Sequence, residues 1–172
     1  MTTLRPFQAE DLFKFNNINL DPLTETYHTG FYTQYIATWP SLCATFEDPS
    51  GRLMGYILGK AEGEDKLWHG HVTAVTVAPE YRRLGVAKYL MQYLEEVSEV
   101  YNGYFVDLFV RKSNKLAQQM YNGLGYTIYR EVLNYYSGEE NAYDMRKSLK
   151  RDPDKLSMIP LPHPITADQL EW

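Results

Sequence analysis

Cysteine is nearly missing: Cys43 is the only one in 172 residues. A lone thiol excludes an intramolecular disulfide framework and fits a reducing compartment. Positive charge is also short. With 17 Lys and Arg against 22 Asp and Glu, the formal net charge is −5, so no general grip on nucleic acid or anionic membrane is expected, and any anion must be held locally. No apolar run approaches the roughly 18 residues of a membrane span. The start, MTTLRPFQAEDL, has neither the basic nor the apolar stretch of a signal peptide. The expectation is a soluble cytoplasmic protein with no membrane and no direct nucleic-acid partner. There is no internal repeat. What is present, 44% hydrophobic and 15% aromatic residues, is enough to bury the core of one domain.

Periodicity divides the chain. Residues 2–5 read as a short edge strand, and AEDLFKFNNINL, with Leu12, Phe13, Phe15 and Ile18, reads as an amphipathic helix. In GFYTQYIATWP, Phe31, Tyr35 and Trp39 recur every four residues until Pro40 stops the run. LCATFE and LMGYILGKA are strands joined by the turn signal Asp48-Pro49-Ser50-Gly51, and HGHVTAVTVAP is a third, β-branched strand. Apolar residues from Leu84 to Val97 keep helical spacing, with Asn102-Gly103 as the stop. A strand YFVDLFV, a helix NKLAQQMYNGLG and an antiparallel pair, YTIYREVLNYY with AYDMRKSL, follow. One β-α-β crossover among antiparallel hairpins predicts an α/β fold, a mixed central sheet of about seven strands with helices on both faces. The domain is expected over 1–150. The proline-rich stretch 151–172 is a tail, extended or docked.

YRRLGVAKYL places two arginines and one glycine where a strand gives way to a helix. The N–H groups of a helix start form a small cup, Gly85 allows close backbone approach, and the helix dipole adds positive charge; this suits a diphosphate. Arg82 and Arg83 add charge at the rim. The alternative is a solvated arginine pair beside an ordinary helix start.

Arg82-x-x-Gly85-x-Ala87, followed by Asn114-x-x-Ala117-x-x-x-Tyr121-x-x-x-Gly125-Tyr126, resembles the two signature motifs of the GNAT superfamily of acetyl-CoA-dependent N-acetyltransferases. The segments KFNNINLDPLTETY, MGYILGKAEG, WHGHVTAVTVAPEYRRLG, DLFVRKSN, AYDMRKSL and IPLPHP resemble the NatB family of N-terminal acetyltransferase catalytic subunits over nearly the whole chain. The resemblance implies a single-domain GNAT fold and direct acetyl transfer, in a ternary complex, to the α-amino group of proteins starting Met-Asp, Met-Glu, Met-Asn or Met-Gln. It also implies a large helical-repeat auxiliary subunit, nascent chains as substrates and ribosome association through that subunit. No metal is implied. Two alternatives stay open: acetylation of a small-molecule amine, for which Glu25 is the only acidic pocket residue in view, and a non-catalytic acyl-CoA-binding subunit.

The resemblance also distributes roles. Cofactor contacts fall on Val75, Thr76 and Val77, whose free backbone groups pair with pantetheine amides as an added strand does, on Arg82, Arg83, Leu84, Gly85, Val86 and Ala87, and on Asn114 and Tyr121. Tyr121 protonates the leaving thiolate or positions the sulfur. Relatives often carry histidine where this chain has Phe109, so the base is sought among His71, Glu25 and Tyr136. The entering peptide is expected against Glu25, Tyr27, His71, Thr73, Phe109, Tyr135 and Tyr136. His69 and His71 share one side of their strand, and either could read the substrate. Adjacent Tyr135 and Tyr136 are expected to face opposite ways. Cys43 is expected to be a small buried residue rather than a nucleophile.

Overall fold

The computed structural model describes residues 1–22, 24–137 and 139–170. The chain divides into two compact units, residues 1–60 with 72–97, and residues 61–71 with 98–172.

The first unit holds β1 (Thr3–Pro6), α1 (Asn16–Asn19), α2 (Thr29–Thr38), β2 (Cys43–Glu47), most of β3 (Leu53–Glu62) and of β4 (His69–Val77), and the first twelve residues of α3 (Val86–Val100). Its strands run β1-β2-β3-β4, and the β1/β2 and β2/β3 pairs are antiparallel. The expected hairpin is there. Asp48 closes its turn by accepting hydrogen bonds from the Ser50 and Arg52 N–H groups at 2.8 and 3.0 Å. Alternation along β2 sends neighbours to opposite faces. Cys43 joins the buried aromatics Phe7, Tyr32, Tyr35 and Tyr56 of the core beneath α2, whereas Phe46 stacks on Tyr89 of α3 with ring centroids 5.9 Å apart. This unit therefore carries helices on both faces of its strands.

The expected first helix is a correction. Residues Ala9–Phe13 form a 3-10 turn, and only Asn16–Asn19 are α-helical. The buried Asp11 carboxylate is claimed by the Gln8 N–H and by both terminal nitrogens of Arg5, which ties the turn to β1. The following asparagines favour side-chain hydrogen bonds over helix continuation: Asn17 donates to the Leu53 carbonyl, and Asn19 accepts from the Tyr56 hydroxyl. Phe13 is left 88% exposed.

The second unit contains β5 (Phe105–Arg111), α4 (Lys115–Gly123), β6 (Thr127–Tyr136), β7 (Glu140–Ser148) and β8 (Ile165–Thr166). Its strands run β5-β7-β6-β8. The β5/β7 and β6/β7 pairs are antiparallel, while β8 lies parallel to β6 through Val132↔Ile165 and Leu133↔Thr166. Among the described residues there are eight strands, against the expected seven or so. The eighth comes from the proline-rich segment, where two residues are too few to leave a period. That segment is docked: Asp152 accepts from the Leu156 and Ser157 N–H groups, the Leu161 N–H donates to the Tyr129 carbonyl, and Leu170 packs on Val132 and Ala142. Gly70 is required by a close approach, since a β carbon there would overlap the Ser98 side chain.

Candidate active site

In the first unit the cup is built on backbone. A 3-10 turn, Pro79–Tyr81, leads into it. The β2/β3 hairpin holds that turn through Tyr81 donating to Asp48 at 2.8 Å and through the Arg52–Glu80 ion pair at 2.6 Å. Arg83 (φ +63°) and Gly85 (φ +79°) both lie in the left-handed region, and a turn that passes through it lines up N–H groups as an anion-binding concavity. A β carbon on Gly85 would meet only Tyr89, at 3.7 Å. Backbone conformation, rather than crowding, is thus what demands glycine. The first i→i−4 bond of α3 runs from the Tyr89 N–H to the Gly85 carbonyl, so the N–H groups of Val86, Ala87 and Lys88 have no intrahelical acceptor. Leu84 is exposed. Arg82 is less free than its sequence position suggests: its guanidinium pairs with Asp21 and touches the Val77 carbonyl.

The other first-unit candidates line β4 and the loop before α2. Thr73 donates to the Tyr35 hydroxyl at 2.8 Å, and the Thr76 and Thr24 hydroxyls are 3.0 Å apart. Val75 and Val77 are half-buried. The Tyr27 ring stacks on Phe31 at 4.2 Å, and its N–H donates to the Tyr32 hydroxyl. Burial, then the charge of Glu25, raises the Tyr27 hydroxyl above its ordinary range. Burial also pushes the Cys43 thiol up to about 11; it stays protonated at neutral pH, as expected of a non-nucleophile.

In the second unit the site is ionic. Asp107, from the apolar strand YFVDLFV, was not anticipated, yet it organises both histidines. Its Oδ1 lies 2.7 Å from His71 Nδ1 and 3.4 Å from His69 Nε2, and all three side chains are buried. His69 also donates from Nδ1 to the Leu67 carbonyl at 2.5 Å, with Glu62 3.6 Å from its Nε2. Burial pulls the His69 pKa down, but Asp107, Glu62 and the Leu67 carbonyl together raise it to about 10. Burial pushes Asp107 the other way, and the two histidines outweigh it, holding the carboxyl below the usual range. His69 therefore carries its proton at neutral pH, and His71 stays the candidate of the two. Among the described residues, no other residue takes up its Nε2.

A cavity of about 30 Å³ adjoins this pair, lined by Glu62, His69, Asp107, Arg130 and Arg146, among others. That is water-sized, far below the roughly 300 Å³ of a ligand pocket. Asp144 is fully buried beside it, 2.8 Å from Arg130 and 3.3 Å from Arg146. Burial, with the nearby charge of Asp107, raises its pKa. Acidic residues beyond Glu25 therefore do exist, namely Glu62, Asp107 and Asp144, but each lies beside a basic side chain, His69, Arg130 or Arg146. The ligand atoms of Glu62, His69 and His71 lie within 4.8 Å of one another, a spacing that could hold a metal. The imidazolium would first have to lose its proton.

A row of rings continues from His71. Phe109 lies 5.4 Å from it, Tyr135 4.7 Å from Phe109, and Tyr136 5.0 Å from Tyr135. Strict alternation does not hold for the tyrosine pair. The β6/β7 register shifts between Val132 and Tyr136, and Asn134 adopts φ +51°, so both rings pack against the cluster of Val132, Ala142 and Leu170. Arg111 covers the Tyr136 ring at 4.2 Å. Asn114 caps α4, its side chain accepting from the Ala117 N–H at 3.1 Å. Seven residues on, Tyr121 is buried against the edge of Tyr126, and burial pushes its hydroxyl up to about 12, which keeps it a proton donor at neutral pH.

Each unit thus presents one of the two motifs expected from the sequence: the cup at the strand-to-helix turn in the first, and the capped helix carrying Tyr121 in the second. Residues 12–126 match the model of the acetyltransferase (GNAT) family. N-alpha-acetyltransferase 20 of Dictyostelium discoideum is 64% identical over 96% of both chains. The N-terminal acetyltransferase B complex catalytic subunit NAA20 of Arabidopsis thaliana is 57% identical over 100% of this chain and 99% of its own. Among solved structures, Naa20 of Chaetomium thermophilum in complex with a bisubstrate analogue superposes with a TM-score of 0.89 at 44% identity, covering 96% of this chain and 97% of that one. A NatB acetyltransferase complex bound to CoA and MES gives 0.80 at 44% identity, over 86% and 99%. The chain belongs to the acetyltransferase (GNAT) family. Within it, the enzyme is of the protein N-terminal acetyltransferase kind, NatB catalytic-subunit type.

Proposed function

We propose that this chain transfers acetyl from acetyl-CoA to the α-amino group of proteins beginning Met-Asp, Met-Glu, Met-Asn or Met-Gln. It does so as the catalytic subunit of a NatB heterodimer. The observation that carries this reading is the His71–Asp107 pair, at 2.7 Å, heading the row of Phe109, Tyr135 and Tyr136: a polar reader at the end of an apolar wall suits a methionine followed by a polar side chain. The N–H groups of Val86, Ala87 and Lys88, which lack intrahelical acceptors, support a diphosphate seat in the other unit.

The α-amino group has a pKa of about 7.7–8.0, so roughly a tenth is free base at pH 7. Its lone pair attacks the thioester carbonyl carbon, forming the C–N bond and an oxyanion that a backbone N–H near Val75–Val77 stabilises. Collapse breaks the C–S bond, and Tyr121 protonates or positions the departing thiolate. His71, Glu25 or Tyr136 takes the amine's extra proton, directly or through water. Asn114 stabilises the helix that carries Tyr121, and Thr73 and Tyr27 complete the peptide's surroundings.

An auxiliary helical-repeat subunit covers the exposed Phe13 and Leu20, which are 88% and 81% accessible, and it carries the enzyme to nascent chains at the ribosome. The aromatic helix α2 contributes less to that surface than its sequence suggests, because Tyr32 and Tyr35 are spent on the unit's own core. Acetyl transfer from acetyl-CoA to a Met-Asp peptide and to spermidine tests the proposal. Turnover of the peptide alone is expected; comparable turnover of spermidine would overturn it.

A further inference from the structure

We propose that Asp107 is a positioning residue for substrate reading: it pins the proton of His71 on Nδ1, so the ring meets the incoming N-terminus with the Nε2 lone pair. This rests on the reading of His71 given above and deepens it.

Donors and acceptors fix the tautomer. An ionised carboxylate only accepts, and Asp107 Oδ1 lies 2.7 Å from His71 Nδ1; the hydrogen between them therefore belongs to Nδ1. Neutral imidazole carries one N–H, so Nε2 is left bare. The second imidazole near Asp107 does not displace His71: cationic His69 donates from Nδ1 to Leu67 and turns Nε2–H to the same Oδ1 at the longer distance of 3.4 Å, and a carboxylate oxygen has lone pairs for both. The charged groups around the pair are Glu62 from β3, His69 from β4, Asp144 and Arg146 from β7 and Arg130 from β6. None of the cations donates to His71.

A bare Nε2 treats the two substrate classes differently. The side-chain amide of Asn or Gln can donate to it directly. A carboxylate of Asp or Glu cannot, and must be met by Nε2–H, which requires the imidazolium. Acidic second residues therefore bring a proton with them, and amide ones do not. With Asp107→Asn the side-chain amide can donate to Nδ1, the neutral ring can carry its hydrogen on Nε2, and the carboxylate no longer needs the extra proton.

The test uses the full chain with its auxiliary subunit and CoA. Titration calorimetry at pH 8 in buffers of differing ionisation enthalpy counts protons taken up per peptide bound. The α-amino contribution is common to Met-Asp and Met-Asn peptides and cancels in the difference. Up to one more proton is expected for Met-Asp than for Met-Asn, and no difference in Asp107→Asn. Equal uptake by the wild type would overturn the proposal. Nitrogen-15 spectra of the histidine rings in the wild-type chain provide a second readout, independent of how the variant folds. An Nδ1–H tautomer for His71 is expected, and an Nε2–H tautomer would overturn the assignment. Failure of the underlying reading looks different: His71→Ala would then leave Met-Asp and Met-Asn kinetics both unchanged.

Discussion

The two units hold their candidate groups by opposite means. In the first, the anion seat is backbone, shaped by Arg83 and Gly85 in the left-handed region and propped by Asp48 and Arg52 of a hairpin turn. In the second, the candidate histidine is held by a network of buried charge. A backbone seat tolerates loss of any one side chain but not of its conformation. A buried ionic site tolerates changes of surface but not of any single charge, because removing one partner strands the other in low dielectric.

The largest effect that would break this contrast is therefore expected from Asp107→Ala. Breaking a buried pair costs about 3–5 kcal/mol, and in a chain of this size each kcal/mol is worth about 2–4 °C. A loss of roughly 10 °C in melting temperature is expected by calorimetry, whereas Arg82→Ala should leave it within about 2 °C. Gly85→Val comes next. Forcing a β-branched residue into positive φ costs about 1–3 kcal/mol, and acetyl-CoA affinity should fall by roughly 10- to 100-fold. An unchanged dissociation constant would refute the seat.

The third effect is a pH slope that belongs to the second unit. The folded pKa of His69, about 10, lies above its ordinary value of 6.5. Its contribution is thus fully present below pH 6.5 and declines as pH rises towards 10. Cys43 and Tyr121, also raised, act in the same direction but only above about pH 8.5. Between pH 6.5 and 8.5 a loss of about 2 kcal/mol, or about 5 °C, is expected, and His69→Gln should flatten it. The smallest effect is that of Arg82→Glu. Its side chain is 42% exposed and shared with Asp21, so CoA affinity should fall by less than about tenfold.

The same contrast explains what could be read in the sequence. Backbone features leave punctuation: Gly85 at a strand-to-helix junction, the Asp48–Gly51 turn and the apolar spacing of α3 all follow from local rules, and each sits where those rules put it. The ionic site leaves almost none. Asp107 stands inside an apolar strand, and its partner His71 is 36 residues away, so the one available sign was a lone carboxylate where a core strand wants none. The bulge at Asn134 and the two-residue β8 were hidden for a related reason: both depend on register with other strands rather than on local preference. The helical spacing of Leu12, Phe15 and Ile18 predicts a longer first helix than forms, because Asp11 and the asparagines have better partners than the helix.

The central claim, that the chain reads a polar second residue through His71, is tested most directly by competition. The wild-type heterodimer and His71→Ala are given equal amounts of Met-Asp, Met-Asn and Met-Leu peptides with acetyl-CoA, and products are counted by mass spectrometry. Polar groups left unpaired against leucine should make the wild type favour the two polar peptides by several hundred-fold or more, roughly up to 10⁴, with that preference largely lost in His71→Ala. Equal acetylation of Met-Leu and Met-Asp by the wild type would contradict the account.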